Sequence, residues 1–230
     1  VTDNAAWAGA PPPDCALCPR LAAYRAANAA EHPDWFNAPV PSFGRLDARL
    51  LVVGMAPGVR GANRTGRPFT GDYAGILLYE TLIKFGFATG PYGADAGDGL
   101  ALRDCRITNA VRCVPPANLP QPAEIGTCNG FLAAELAAMP ALRVVLSLGV
   151  LSHAAMLRAS SLPVSRLRFR HGEVHELPDG LKLANSYHVS RYNTSTKRLT
   201  TAMFEDVVAA IRDELARAPA AWSMIARTTS

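Results

Sequence analysis

The 230-residue sequence predicts an α/β fold, a three-layer α/β/α sandwich around a central four-stranded, mostly parallel sheet. Two observations lead there. Four short apolar runs (49–55, 105–111, 143–148 and 181–187) alternate with stretches whose apolar residues recur at helical spacing. One of them, Arg143-Val-Val-Leu-Ser-Leu148, is almost unbroken in its hydrophobicity, as expected of a strand covered on both faces. Strands alternating with helices favour parallel pairing with helices on both sides of the sheet. The length suits one well-buried domain, and 49% hydrophobic with 18% charged residues is ordinary for a soluble globular protein.

Taken in order, residues 1–14 are rich in Ala and Pro and read as a flexible lead-in before a single domain over 15–215. Cys15-Ala-Leu-Cys18 precedes Pro19, which opens a helix carrying Leu21, Tyr24 and Ala27 toward His32. Residues 32–44 read as a loop packed on the core by its aromatics. Arg49 to Met55 is the first strand, and a loop of glycines, prolines and arginines follows it. From Tyr73 onward Ile76, Leu77, Tyr79, Leu82 and Ile83 cover one helical face.

Ala88 to Gly99 is a Gly-rich connector, Cys105 to Val111 the second strand, and Pro122 to Met139 a helix that contains Cys128. After the third strand, Gly149 opens a short helix to about Arg158. Arg166-Leu-Arg-Phe-Arg170 and Glu173-Val-His-Glu-Leu177 flank Gly172 and read as an edge hairpin or a crossing strand. Leu181 to Tyr187 is the last strand, His188 to Lys197 a polar loop, and Leu199 to Leu215 an amphipathic closing helix. Residues 216–230 read as a poorly ordered tail.

The net charge of +4 comes almost wholly from arginine, since Lys84, Lys182 and Lys197 are the only lysines. This mild excess is compatible with an anionic partner and with a merely solvated surface. Residues 1–14 lack the features of a secretory signal, and the longest apolar run, Val144 to Leu157, is too short to span a bilayer. The expectation is a monomeric cytoplasmic protein without membrane contact, whose five cysteines act as ligands or thiols. No protein partner can be deduced.

Two features carry chemistry. The loop after the first strand matches neither GxxxxGK[ST] nor GxGxxG, so phosphate-loop readings fail. Cys15 and Cys18, with Cys113 and Cys128, offer an S4 ligand set; zinc and a [4Fe–4S] cluster both satisfy the spacing, and four buried free thiols are the bland alternative. Phe69 and Asp72 in the loop, Asn109 ending the second strand, and His188 after the last strand all follow carboxyl ends of strands. They should therefore share one rim of the sheet. Such a set can stack a planar heterocycle, hydrogen-bond its edge and stabilise charge at a breaking bond. Asp72 could equally serve as a helix N-cap, Phe69 as core, Asn109 as a turn residue and His188 as a structural histidine.

Gly54-Met-Ala-Pro-Gly-Val-Arg-Gly-Ala-Asn-Arg-Thr-Gly-Arg-Pro-Phe-Thr-Gly-Asp72, Thr108-Asn-Ala-Val-Arg-Cys113, the stretch from His188 to Thr200 and the cysteine quartet together resemble the uracil-DNA glycosylase superfamily. The similarity is to its family 5, the iron–sulfur type b branch, over roughly Cys15 to Thr200. The resemblance implies excision of a deaminated base from DNA, leaving an abasic site, with a structural [4Fe–4S] cluster on Cys15, Cys18, Cys113 and Cys128. It implies a base pocket of Gly54, Ala56, Pro57, Phe69, Asn109 and His188, with Asp72, His188 and Asn109 catalytic. Arg64, Arg67, Ser190, Arg191, Tyr192, Lys197 and Arg198 become candidates for contact with DNA that carries a flipped-out base.

Two departures matter. Most relatives carry Asp, Asn or Glu where this chain has Ala56; family 5 shares that gap, which leaves Asp72 as the best carboxylate. An apolar Ala56 also suggests a pocket wide enough for hypoxanthine. The usual His-Pro-Ser is here His188-Val189-Ser190, which frees a backbone donor. The rival readings are a catalytically silent damaged-DNA binder of the same fold and an iron–sulfur redox protein.

Overall fold

The computed structural model describes residues 9–217. The elements in chain order are α1 (Pro19–Glu31), β1 (Leu50–Gly54), α2 (Ala62–Thr65), α3 (Tyr73–Lys84), β2 (Ala88–Thr89), β3 (Ala101–Leu102), β4 (Cys105–Asn109), α4 (Pro122–Ala137), β5 (Val144–Leu148), α5 (Val150–Ala159), β6 (Val174–Glu176), β7 (Lys182–Ser186), α6 (Arg191–Ser195) and α7 (Thr201–Ala216). The main sheet has the order β4-β1-β5-β7-β6. Its first four strands are parallel, with Leu50 opposite Cys105 and Val144, and Val145 opposite Leu183.

Five strands replace the expected four. The extra one, β6, runs antiparallel along β7, with Val174 opposite Ala184 and Glu176 opposite Lys182. A short turn through Pro178 and Gly180 makes this hairpin possible; the hairpin expected within 164–178 around Gly172 does not form, because 166–170 is not a strand and Val174–Glu176 pairs with β7 instead. The connector over 88–99 likewise contributes a small antiparallel pair, β2 with β3. The polar loop after β7 holds the one-turn helix α6, which Ser190 caps through the amide of Asn193.

Alternation along β1 builds the two cores. Leu50 and Val52 join Ile107, Leu146, Leu78 and Leu82 of α3, and Phe204, Val208 and Ile211 of α7 on one face. Leu51 and Val53 join Val145, Leu183, Ile125 and Leu132 of α4, and Met156 and Leu157 of α5 on the other. Both layers are therefore dictated by the period-two side-chain pattern of a doubly covered strand. Cys105, at the start of β4, is buried in the first of these cores.

Between the sheet and α4 lies a charged brace. Glu135, with no accessible surface, accepts hydrogen bonds from Arg106 Nε at 2.6 Å and from Arg112. Arg112 also donates to Ser42 Oγ, which pairs with Thr108 Oγ1. Burial pushes the Glu135 carboxyl up, but the Arg112 and Arg106 charges outweigh it and hold the group ionised.

Within the lead-in, the backbone from Pro12 is held by hydrogen bonds. Cys15 N donates to Pro12 O, and Arg25 donates to Pro13 O and Cys15 O. Residues 1–8 of the lead-in and 218–230 of the tail lie outside the described residues. At the far end, α7 continues to Ala216. No helix among the described residues is long and apolar enough to cross a membrane.

Candidate active site

The loop leaving β1 is shaped around Phe69. Its backbone lies in the left-handed region at φ +53°, a conformation costing a bulky residue on the order of 1–3 kcal/mol. Two phenols hold it there: Tyr79 donates to Pro68 O at 2.6 Å and Tyr92 donates to Phe69 O at 3.1 Å. The ring then rests over the end of β1. A Cβ on Gly54 would lie 2.5 Å from Phe69 Cζ and 2.3 Å from Asn109 Oδ1, so only glycine admits this approach.

Asp72 is the N-cap that the sequence allowed, and its carboxylate also lines the pocket. Its Oδ1 accepts from Ala74 N at 3.1 Å and caps α3, while a Cβ on Gly61 would come within 2.3 Å of Oδ2. Burial raises its pKa above the ordinary carboxylate range, and the amides of Ala74 and Gly75 offset this only in part.

Asn109 ends β4 opposite Gly54, nearly buried, and its side-chain amide makes no hydrogen bond among the described residues. His188 follows β7. Asn193 Nδ2 donates to its carbonyl at 2.8 Å, and its ring centroid lies 6.0 Å from that of Phe69. Burial pushes the imidazole pKa down to about 4, so at neutral pH the ring is uncharged and carries one N–H. Ala56, Pro57, Gly58, Ala62, Phe69, Asp72, Ala74, Asn109 and His188 line one pocket of about 270 Å³ that includes its open mouth.

A profile of the Uracil DNA glycosylase superfamily matches residues 41–212, a span that contains this whole pocket. The chain belongs to the uracil-DNA glycosylase superfamily. A Type-5 uracil-DNA glycosylase of Thermus thermophilus is 44% identical over 199 residues, covering 84% of this chain and 90% of the relative. That of Mycobacterium bovis is 42% identical over 202 residues, covering 84% and 75%. A Type-4 uracil-DNA glycosylase of Thermotoga maritima is 29% identical over 166 residues, covering 71% and 77%.

In this superfamily member the other expected residues divide. Arg64 is exposed, its Nε donating to Arg60 O. Tyr192 is 72% exposed, and the Arg191 guanidinium sits 5.8 Å from the Tyr73 ring. Lys197 and Arg198 are exposed, Arg198 lying 4.8 Å from the Tyr187 ring centroid. Val189, in place of the usual proline, is wholly buried, so packing anchors the segment that carries His188.

Arg67 must be withdrawn as a DNA contact. It is 1% exposed, its Nε donates to Thr70 Oγ1, and its two terminal nitrogens donate to Asp98. Its guanidinium also lies 5.3 and 5.4 Å from the Phe43 and Tyr79 rings. A charge so fully partnered has no surface to offer a phosphate. The same network reveals positioning residues that the sequence did not single out, Tyr79, Tyr92 and Asp98. Asp98 lies 31 residues beyond Arg67 in a Gly-rich stretch, and no local pattern marks it as a partner.

The four cysteines of the superfamily member come from three segments: the turn before α1, the loop after β4, and α4. Arg20 in α1 grips Glu124 in α4 through two contacts of 2.7 Å, and Glu124 also closes a capping box with Gln121. That clamp draws the segments together. Cys15, Cys18, Cys113 and Cys128 line one cavity of about 320 Å³ that is partly open to solvent. Burial raises the Cys113 thiol to about 12 and pushes Cys18 and Cys128 upward too. Among the described residues no three His, Cys, Asp or Glu side chains draw as close together as a single bound ion requires.

Proposed function

We propose that this chain hydrolyses the N-glycosidic bond between deoxyribose and uracil in DNA, leaving an abasic site. The observation that carries the reading is the meeting of Phe69, Asp72, Asn109 and His188 in one pocket of a uracil-DNA glycosylase superfamily fold. A base within a duplex cannot reach such a pocket, so the nucleotide flips out of the stack. Phe69 stacks on the base, and the unpartnered amide of Asn109 offers one donor and one acceptor to its hydrogen-bonding edge.

The glycosidic bond breaks with its electron pair leaving on the base. Positive charge develops at the sugar, where the ionised Asp72 stabilises it and orients the attacking water. The water oxygen bonds to the sugar carbon, its proton is released, and the departing base anion is later protonated. His188 is neutral and donates its N–H to a base oxygen, stabilising the anion as it forms; donors of this kind are worth about 3–4 kcal/mol. Exposed Tyr192 fills the gap in the stack in this reading, and Arg64, Ser190, Arg191, Lys197 and Arg198 meet phosphates.

Cys15, Cys18, Cys113 and Cys128 form the ligand set for a [4Fe–4S] cluster. The chemistry of the donors fits: four thiols line one cavity, a donor set suited to iron–sulfur and to zinc, and the resemblance to family 5 favours the cluster. Buried Nε atoms of Arg25 and Arg112, close to these thiols, lack any partner, as suits a site for an anionic group. When bound, the cluster would cross-link the N-terminal segment to α4 and to the loop after β4.

A wider base range is a second reading. Ala56 presents only a methyl group to the pocket and no polar discriminator, which supports admission of hypoxanthine.

The test is a gel assay on labelled oligonucleotides with one uracil in U·G, U·A and single-stranded contexts, followed by alkali. Strand scission at the uracil that is lost in Asp72→Ala and His188→Ala supports the reading. Binding without scission would favour a damage-binding protein, and duplexes containing deoxyinosine decide the base range.

A further inference from the structure

We propose that Arg166, Arg168 and Arg170, on the segment leading into β6, form a second DNA-backbone contact beyond the flipped-out nucleotide. This rests on the glycosylase reading for its partner and adds to it a surface outside the pocket and its flanking loop.

The segment is built to present charge. Leu167 packs against the core, and Phe169 turns inward to His153, with ring centroids 5.8 Å apart, and to Tyr187 at 6.1 Å. The intervening arginines are exposed, and their side chains have no partner among the described residues. The backbone beneath them is fixed: His153 Nε2 lies 3.0 Å from Leu167 O, and His175 Nε2 3.0 Å from Arg168 O. Of the nearby carboxylates, Glu176 is engaged with Lys182, and Glu173 Oε2 is buried 3.8 Å from His175 Nε2 without a hydrogen bond. Three like charges held two residues apart repel one another, and an anion with regularly spaced charges relieves that repulsion.

The sheet register places the end of the segment, His171 and Gly172 beside Arg170, at the rim that bears the pocket, while Arg168 lies level with His175 along the sheet edge. Beyond the pair Val174–Ala184, Gly172 N donates to Asn185 O at 2.8 Å, and Tyr187 N donates to His171 Nδ1 at 3.1 Å. His171 therefore stands level with Tyr187, the residue before His188, and their rings stack at 4.8 Å. Arg198, a phosphate candidate already, lies over that same Tyr187 ring. The sheet order puts Asn109 at the end of β4 and the arginine segment past β7, at least three strand spacings (roughly 14 Å) across the rim. A duplex laid over the pocket would continue along this line.

The experiment compares Arg166→Gln/Arg168→Gln/Arg170→Gln with a charge-matched control at the opposite end of the sheet, Arg103→Gln/Arg212→Gln/Arg217→Gln. Binding to an undamaged duplex is measured across salt concentrations, together with the single-turnover cleavage rate of a uracil duplex at saturating enzyme. The expected result is a salt slope shallower by about two to three in the first variant, near 0.9 per lost phosphate contact, with the control close to wild type. The saturated cleavage rate stays within about twofold. Substituting lysine at all three positions restores most of the slope.

An unchanged slope, or a weakened variant that lysine fails to rescue, overturns the proposal. Failure of the glycosylase reading looks different: wild-type protein would bind the duplex yet leave uracil uncut, with the slope comparison still readable.

Discussion

Arg67 and Asp98 clasp each other through contacts of 2.8 and 2.7 Å, and scarcely any of either side chain reaches solvent. The pair fastens the turn that carries Phe69 to the stretch that carries Tyr92, and so helps hold the left-handed backbone under the pocket. Burial alone would raise the Asp98 carboxyl. Hydrogen bonds from Arg67, Leu100 N and Gly93 N reverse that and leave it at about 2.

Asp98→Ala strands the Arg67 charge in the interior and should cost about 3–5 kcal/mol in urea unfolding. Arg67→Met combined with Asp98→Leu should lose much less, because no lone charge remains. The pH dependence has a definite sign. A carboxyl lowered from 3.8 to about 2 contributes roughly 2 kcal/mol above pH 4, and that contribution disappears as pH falls toward 2. Unfolding midpoints collected between pH 2 and 5 check it, and Asp98→Ala should flatten the curve.

Asp72 must be ionised to stabilise a developing cation. Its raised pKa therefore places the acid limb of the single-turnover rate above the range of an ordinary carboxylate, with activity rising with pH. In Asp72→Asn the residual rate should lose that limb. A limb that persists in this variant would assign it to another group.

The proposed mechanism uses His188 as a neutral donor, consistent with burial pushing its pKa down to about 4. The rate profile should show no break from His188 between pH 6 and 7, and His188→Ala should lower the rate by about 10²–10³ without altering the profile's shape there. Stability carries a second signature. The unfolded chain takes up a proton near 6.5 and the folded one only near 4, so the native state weakens as pH falls between those values. His188→Ala should remove that part of the acid sensitivity.

Gly54→Ala drives a methyl group into Asn109 Oδ1 and the Phe69 ring, at 2.3 and 2.5 Å. Displacing both groups should lower cleavage by about 10²-fold while far-UV circular dichroism stays native. Unimpaired cleavage would show that the pocket does not depend on this close approach.

Cys128→Ser should abolish iron and sulfide loading, visible as loss of the visible absorbance of the purified protein. Arg20→Ala breaks the α1–α4 clamp and should speed release of iron to a chelator without removing a ligand. Full loading of Cys128→Ser would remove this cysteine from the ligand set.

Much of this molecule is readable along the chain. Strands β1, β4, β5 and β7 follow from apolar runs whose side chains must be covered on both faces, and α3, α4 and α7 from helical spacing, because periodicity is a local property. The grouping of Phe69, Asp72, Asn109 and His188 also follows, since parallel strands deliver their carboxyl ends to one rim. The capping of α3 by Asp72 beside the pocket is local too, as an N-cap lies at the mouth of whatever its helix faces.

Charge partners were not readable in this way. Arg67 looks like any other loop arginine, and only the return of the chain at Asp98 turns it from a surface cation into a buried clasp. The same holds for Glu135 between Arg106 and Arg112, and for the arginines beside β6, whose level against Tyr187 is set by strand register. Composition and spacing decide what each residue can do chemically. Whether a charge meets solvent, a carboxylate or a phosphate depends on distances across the fold, because electrostatic and hydrogen-bond energies fall off with separation in space and take no account of separation in sequence.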